Sequence, residues 1–567
     1  MKSPMQSNLV LINANIRTLD PANPAAQALA VRDGRILAVG RTDEIRALAA
    51  QALPDAPVLN LEGQTVLPGF IDCHTHFLAG GFSLLTVDLR GAADPSEFIR
   101  RIADRVRLTP KGGWVRGGGW DQECWPEAPL PRKEWIDAVT ADVPSFVTRL
   151  DLHIGLANSA ALRLAGIDAR TADPVGGEIY RDPATGEPTG ILKDAAIKLL
   201  ECVMPAPTAD EQAEALRRAL REAASHGVTS VQDVTDWKNP SWSEWELFRS
   251  FRRRNELTCR IYARLPLVDW DRARQALPAF EIGPAADPWL RFGGLKGFTD
   301  GSLGGRTAYF FEPYSDAPGY CGLLQEEMFP EGEMERRIRE ADRAGIPVSV
   351  HAIGDRANSL LFDIFERVAQ ANGPRDRRFR VEHAQHLRPE DIRRIARQEI
   401  IASIQPTHVI DDGGWAERRI GPARCRFTYA FRALADAGVR LVGGSDWTVA
   451  PLDPLLGIHA AVNRQTADGR HPEGWQPSQK LTVEQAVATF TADAAFAEFA
   501  ETEKGSLQAG KFADLVVLSA DPFTTESSRL REIQVLKTIA GGRIVYESRE
   551  TCHSRKTFPR FLRENSF

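Results

Sequence analysis

Lysine is scarce in this sequence. Only 12 of the 70 basic residues in the 567-residue chain are lysines, and Lys296 is the only one between Lys238 and Lys480. The net charge of -6 offers no basic field, so nucleic acid is not an expected partner. Paired cysteines are also lacking: Cys73, Cys124, Cys202, Cys259, Cys321, Cys425 and Cys552 form no Cys-x-x-Cys motif. An odd number without that spacing reads as reduced thiols in a reducing compartment. No stretch approaches the ~20 uninterrupted apolar residues of a membrane helix. Near the N-terminus the apolar run is broken by Asn13 and Asn15, unlike a secretory signal. A cytoplasmic protein that meets no membrane is expected.

What is present is ordinary globular material, 43% hydrophobic and 26% charged, which excludes wholesale disorder. At about 150 residues per domain the length suggests roughly three or four domains, although one α/β barrel with insertions can absorb much of it. The two ends share a texture of short apolar strands and tight turns: 8–16, 28–31 and 34–39 at one end, 513–519 and 534–547 at the other. Neither end has enough strands to bury a two-sheet core alone. They are expected to pair as one discontinuous β-sandwich, residues 1–64 plus 495–550.

Between the ends, apolar strands alternate with helix-like segments, the pattern of parallel βα units. Eight can be placed, at 66–73, 227–234, 259–267, 293–299, 346–351, 378–384, 400–406 and 439–445. The expected fold class is therefore α/β, a (β/α)8 TIM barrel over 65–494 with its chemistry at the C-terminal ends of the strands. The gap after the first strand is too long for one crossover, so 80–210 is expected to be an insertion subdomain. The basic C-terminal tail, 551–567, reads as flexible or as an arm on a neighbouring subunit.

Polar residues stand where several of these strands stop. His74 and His76 end the first strand, and residues i and i+2 of an extended chain face one side, so both imidazoles can reach one metal. Alone, two surface histidines would be an equal reading. His351, His383 and Asp446 occupy the same place on other strands, and together the set points to a metal centre. Lys296 lies in the apolar run Gly293–Phe298, where a charged head loses water. Reaction with carbon dioxide would make it a carbamate with two oxygens able to bridge two ions; the alternative is an ion pair with Asp300.

The wider motifs are Leu67–His76 (LPGFIDCHTH), Gly118-Gly119-Trp120-Asp121, Asn158–Leu162 (NSAAL), Gly186–Gly190 (GEPTG), Asp300–Gly304 (DGSLG), His351–Ala357 (HAIGDRA) and Gly444–Trp447 (GSDW). In these the chain resembles the amidohydrolase superfamily over nearly its whole length. Within it, the run of motifs looks like the amidohydrolase-3 branch, which includes the YtcJ-like proteins and N-substituted formamide deformylase. At Arg149–His153 (RLDLH) the chain departs from the family, which more often has Gly between Asp and His; this bears on local backbone geometry and substrate preference.

The resemblance implies that His74 and His76 hold the more buried of two divalent metal ions and that carboxylated Lys296 bridges to the second. His351 and His383 would hold that second ion. Asp446 would touch the first metal and act as catalytic proton shuttle for a hydroxide that the metals activate. Zinc suits imidazole-rich ligation, and manganese or iron would accept the same set. Further candidates for binding substrate are Trp120, Asp121 and His153 in the insertion, Arg306 as a carboxylate clamp, and His386 and His408 beyond strand ends. For each, a structural hydrogen bond or a solvated loop is the alternative, and the insertion's tryptophans could equally be its own core.

The expected function is hydrolysis of a non-peptide carbon–nitrogen bond, an amide, N-formyl or N-acyl group, in a small molecule. A mononuclear deaminase of a heterocycle ranks second, since it has no need of Lys296 and Asp355 stands four residues after His351. A non-catalytic scaffold ranks third, because all six ligand positions carry competent side chains. A homodimer would be the commonest arrangement.

Overall fold

The computed structural model describes residues 7–122, 125, 127, 129–150, 154–174, 177–194, 196–235, 242–280 and 287–548. The chain divides into two compact units, Met1–Phe77 with Leu220–Phe567, and Leu78–Ala219. His153 and the tail 551–567 lie outside the described residues.

Eight parallel strands form one sheet in the first unit: β1 (Phe70–Thr75), β2 (Val228–Val234), β3 (Arg260–Pro266), β4 (Leu290–Phe298), β5 (Val348–Ala352), β6 (Arg380–His383), β7 (Ile401–Ile404) and β8 (Leu441–Gly443). Each pairs with its neighbour in sequence. The sheet curls into a nearly closed barrel. Between β8 and β1, Asp446 N–H donates to the His74 carbonyl at 2.7 Å and His76 N–H to that of Trp447 at 2.8 Å. Ser445 N–H donates to the Asp72 carboxylate at 3.0 Å. The connecting helices pack through apolar stripes at helical spacing. Helix Glu333–Arg343 buries Met334, Ile338 and Ala341, and helix Asp355–Asn372 buries Leu361, Phe365 and Val368.

One strand differs from its sequence reading. The run 66–73 is two strands: Thr65–Pro68 pairs with Leu515–Leu518 and with Asn15–Arg17, whereas β1 starts at Phe70 in the barrel. Pro68 has no N–H for a ladder, and Gly69 makes the corner. A Cβ there would sit 2.3 Å from the Thr229 hydroxyl oxygen.

The terminal strands form two further sheets. One has the order Arg543–Glu547, Val535–Ala540, Leu515–Leu518, Thr65–Pro68, Asn15–Arg17, Ala25–Ala26; the other runs Arg35–Gly40, Ala28–Arg32, Leu9–Ile12, Val58–Asn60. Leu9, Leu11, Ile16, Val31, Leu515, Val517 and Ile539 share one apolar core. The other face of the four-stranded sheet, with Val10 and Ile12, packs on helix Thr42–Ala52 through Ile45 and Ala49. That alternation is the two-residue period of a strand.

The second unit has its own six-stranded sheet, in the order Gly177–Arg181, Pro188–Asp194, Ile154–Ala157, Ser145–Arg149, Val115–Trp120, Val87–Asp88. Phe98, Trp120, Trp125, Ile136 and Val147 are among its core. No helix among the described residues is long and apolar enough to cross a membrane.

Candidate metal centre

Side chains from six barrel strands and their following loops converge at the C-terminal mouth. His74 Nε2 and His76 Nε2 lie 3.5 and 3.4 Å from one oxygen of Asp446, Oδ1. His408, the first residue of the short helix His408–Asp412 after β7, points Nε2 at the other oxygen, Oδ2, at 3.9 Å. Asp446 thus belongs to two groups whose ligand atoms all lie within 4.8 Å of one another, His74–His76–Asp446 and His383–His408–Asp446. The ring of His383 is 5.1 Å from that of His74 and 4.6 Å from that of His351.

Backbone conformation helps to aim these groups. His383 and Asp446 adopt φ of 74° and 56°, a left-handed region that L-residues enter at a cost of order 1–3 kcal/mol and that clusters at functional sites. At the end of β6 this breaks the alternation of the strand. Glu382 and His383 are adjacent, yet both lie beside His74. The carboxylate Oε2 of Glu382 is 2.8 Å from His74 Nδ1.

His351 is held differently. Its Nε2 lies 3.2 Å from the Gly301 carbonyl and 3.4 Å from Asp300 Oδ1, which makes Nδ1 the ring atom open to a ligand role. Asp300 is fully buried and accepts from the backbone N–H groups of Tyr309 (2.8 Å), Ile353 (3.0 Å) and Gly354 (2.8 Å). Its carboxylate is therefore committed to clamping loops, and the sequence alternative of an ion pair with Lys296 is not what forms. Lys296 is 2% exposed, and its Nζ has no hydrogen-bond partner. Its Nζ lies 4.1 Å from the ring centre of Phe298.

Electrostatics suit cation ligation. Burial brings His74 down to about 4, against the pull of Glu382 and Asp446. His383 is also well below the usual histidine range through burial and the neighbouring His351. Neutral imidazole is the form that binds metal. Burial alone would raise Asp446, but the surrounding histidines, His74 first, hold it well below the carboxylate range. Burial brings the Lys296 ammonium down to about 8 although Glu382 and Asp446 favour its charge. A buried amine that loses its proton so readily can react with carbon dioxide. The donor set, together with the orphaned Lys296 Nζ, fits divalent metal.

Other candidates fall elsewhere. Trp120 is fully buried in the second unit, its ring 6.3 Å from Phe98 and 6.2 Å from Trp125. It is part of that unit's core rather than a wall open to substrate. Asp121 accepts from Arg149 at 2.7 Å. Arg306 pairs with Asp316 at 3.0 Å near the surface. His386 is buried with Nδ1 2.8 Å from the Thr428 hydroxyl, whereas His408 joins the centre. Sequence reasoning missed Glu382. The available signal was Arg380 and Glu382 at i and i+2 on one face of a strand otherwise read as buried.

The chain also matches known proteins over most of its length. The family model described as "Amidohydrolase family" covers residues 57–546. The chain belongs to the amidohydrolase family. It is 38% identical over 550 residues to Protein LONG AFTER FAR-RED 3 of Arabidopsis thaliana, covering 95% of this chain and 92% of that one. It is 32% identical over 556 residues to N-substituted formamide deformylase of Arthrobacter pascens, covering 95% and 98%. An uncharacterized metal-dependent hydrolase from Pyrococcus horikoshii superposes with a TM-score of 0.75 at 27% identity, covering 92% of this chain and 99% of that structure. In this amidohydrolase, as the fold class requires, the histidine cluster stands at the C-terminal strand ends.

Proposed function

We propose that this amidohydrolase hydrolyses a non-peptide carbon–nitrogen bond, an amide, N-formyl or N-acyl group, in a small molecule. The convergence of His74, His76, His383 and His408 on the single carboxylate of Asp446 carries the reading. His74 and His76 would hold one divalent ion, and His383 and His351 a second. Lys296, as its carbamate, would lie between them. Zinc is the favoured metal for so many imidazoles. Such ions, when bound, lower the pKa of water and polarise a carbonyl oxygen.

The chain's own groups perform the rest. Asp446 is ionised and can take a proton from attacking water and release it to the leaving nitrogen. Its left-handed backbone aims both oxygens into the cluster. His408 Nε2 faces Asp446 Oδ2 at 3.9 Å, beyond hydrogen-bonding distance, and is a further imidazole available to the centre. Asp355, four residues after His351, accepts from Phe311 N–H at 2.9 Å, and the buried Lys296, which a mononuclear deaminase would not need, keeps deamination the second reading. We place the enzyme in the cytoplasm, consistent with the free thiols of Cys73, Cys202, Cys259, Cys321 and Cys425.

The test is a screen of metal-loaded protein against N-formyl, N-acyl and cyclic amides with and without chelator, combined with metal counting. Two ions per chain, chelator-sensitive turnover and a carbamate signal on Lys296 after labelling with carbon-13 bicarbonate are expected. One ion with an unmodified Lys296 amine would overturn the two-metal form of the reading.

A further inference from the structure

We propose that Glu382, held by Arg380, is the positioning residue that fixes the ring and tautomer of His74, so that Nε2 is the nitrogen presented to metal. The inference rests on the reading of His74 as a ligand and adds to it a residue outside the ligand set.

A neutral imidazole carries one ring proton, and an ionised carboxylate can only accept. With Glu382 Oε2 2.8 Å from Nδ1, the proton resides on Nδ1. The lone pair is left on Nε2, the atom that faces Asp446. Both side chains are at most 1% exposed, so water offers neither an alternative partner. Ligating histidines elsewhere owe their orientation to such an acceptor on the far nitrogen.

Glu382 is itself immobilised. Its other oxygen, Oε1, accepts from Arg380 Nε at 2.6 Å. The same guanidinium donates to the Cys73 carbonyl and to Gln232 Oε1. Arg380 therefore grips the carboxylate that orients the His74 ring and also the peptide group that joins Cys73 to His74. Gln232 Nε2 in turn donates to Glu498 Oε1 at 3.0 Å and to the Ala494 carbonyl at 3.1 Å. Glu498 is paired with Lys504, and Lys504 donates to Ser230 at 2.6 Å. The carboxylate that faces His74 is thus the end of a hydrogen-bonded chain reaching Ser230 near the start of β2. Glu382 is thus held at both oxygens, by His74 Nδ1 and by Arg380 Nε, which is what a positioning role needs and what filling space does not.

The experiment separates the acceptor at Nδ1 from the balance of buried charge. Glu382→Gln keeps an oxygen able to accept from Nδ1–H. Because it leaves Arg380 without its counter-charge, the decisive pair is Arg380→Met/Glu382→Gln against Arg380→Met/Glu382→Leu, with His74→Ala as reference. Metal retained per full-length chain is titrated against a chelator, the cobalt(II)-substituted proteins are compared by visible absorption, and thermal melts of the chelated proteins report folding. The Gln double variant is expected to keep the wild-type cobalt spectrum and most of the affinity. The Leu double variant is expected to lose affinity about 10–100-fold with a shifted spectrum and an unchanged melt.

Equal retention by the Gln and Leu double variants, while His74→Ala loses metal, would overturn the positioning role and leave the metal centre standing. Loss of metal and folding together in both double variants would also overturn it, by making the pair structural. Full retention by His74→Ala would instead refute the metal-site reading on which the inference rests.

Discussion

The inside of the barrel and the inside of the terminal sandwich are both buried, both built from short strands and both in one compact unit, yet they are filled by opposite chemistry. The sandwich holds Leu9, Leu11, Val31, Val66, Val517 and Ile539, all nearly inaccessible. Each such side chain contributes about 1.5–3 kcal/mol by leaving water and needs no particular partner. The barrel buries Gln232, Arg264, Lys296, Arg380 and Glu382 just as completely. A buried charge costs several kcal/mol unless it is answered, and most barrels fill this space with branched aliphatics. Here Arg380 is answered by Glu382 and Lys504 by Glu498. Arg264 keeps one nitrogen, Nη1, without a partner, and burial brings it down to about 10. The sandwich interior is built for stability, and the barrel interior gives up stability to hold charges in place.

Substitutions can break that contrast, and the largest effect is expected at the barrel mouth. Asp446→Asn should lower turnover roughly 10²–10⁴-fold with no loss of thermal stability; a parallel fall in melting temperature would return Asp446 to the stabilising class. Next comes the joint between the regions. Arg260 at the start of β3 pairs with Asp514 at 2.7 and 2.9 Å, both buried. Arg260→Met alone should cost about 3–5 kcal/mol in denaturant unfolding by stranding Asp514, and Arg260→Met with Asp514→Leu should recover most of it. Leu515→Ala, in the sandwich, should cost about 2–5 kcal/mol while metal bound per folded chain stays unchanged. A change in metal content there would show that the two interiors are not independent.

The smallest effect is a pH dependence outside both interiors. His226 lies 3.3 Å from Glu222 and 3.8 Å from Asp453. Burial lowers its pKa, but the two carboxylates outweigh that and raise it to about 10. A raised histidine contributes its stability in full below the unfolded value near 6.5 and loses it as pH climbs through about 10. The wild-type advantage over His226→Gln should therefore be about 1 kcal/mol near pH 6, after discounting for solvent screening at this half-buried site. It should vanish above pH 10. An advantage that grew with pH would contradict the assignment.

How much of this was legible in the sequence depended on whether a feature left a local pattern. Parallel strands buried on both faces read as unbroken apolar runs, so the eight barrel strands could be placed. The corner at Gly69 could not, because an apolar run stays apolar as it passes from one sheet to another. Polar residues that end such runs marked His74, His351, His383 and Asp446. Glu382 stayed hidden because strict alternation puts it opposite His383, and only the left-handed turn at His383 brings both to one side. His386 and His408 look alike in sequence, each a few residues past a strand. The Thr428 hydroxyl takes one, and the start of a short helix delivers the other to Asp446. Trp120 follows three glycines with left-handed φ, whose loop-like spelling concealed a strand that carries the ring into a core.

The seam between β8 and β1 has a kinetic consequence. Ser445 and Asp72, bonded across it, are 373 residues apart in the chain, and closing so long a loop carries an entropic cost that the contact must repay. The joint that completes the ring is made by the same short segments that carry His74, His76 and Asp446. A ligand gripping those side chains would tie both sides of that seam together, so its occupancy should slow unfolding of the barrel as well as arm its chemistry.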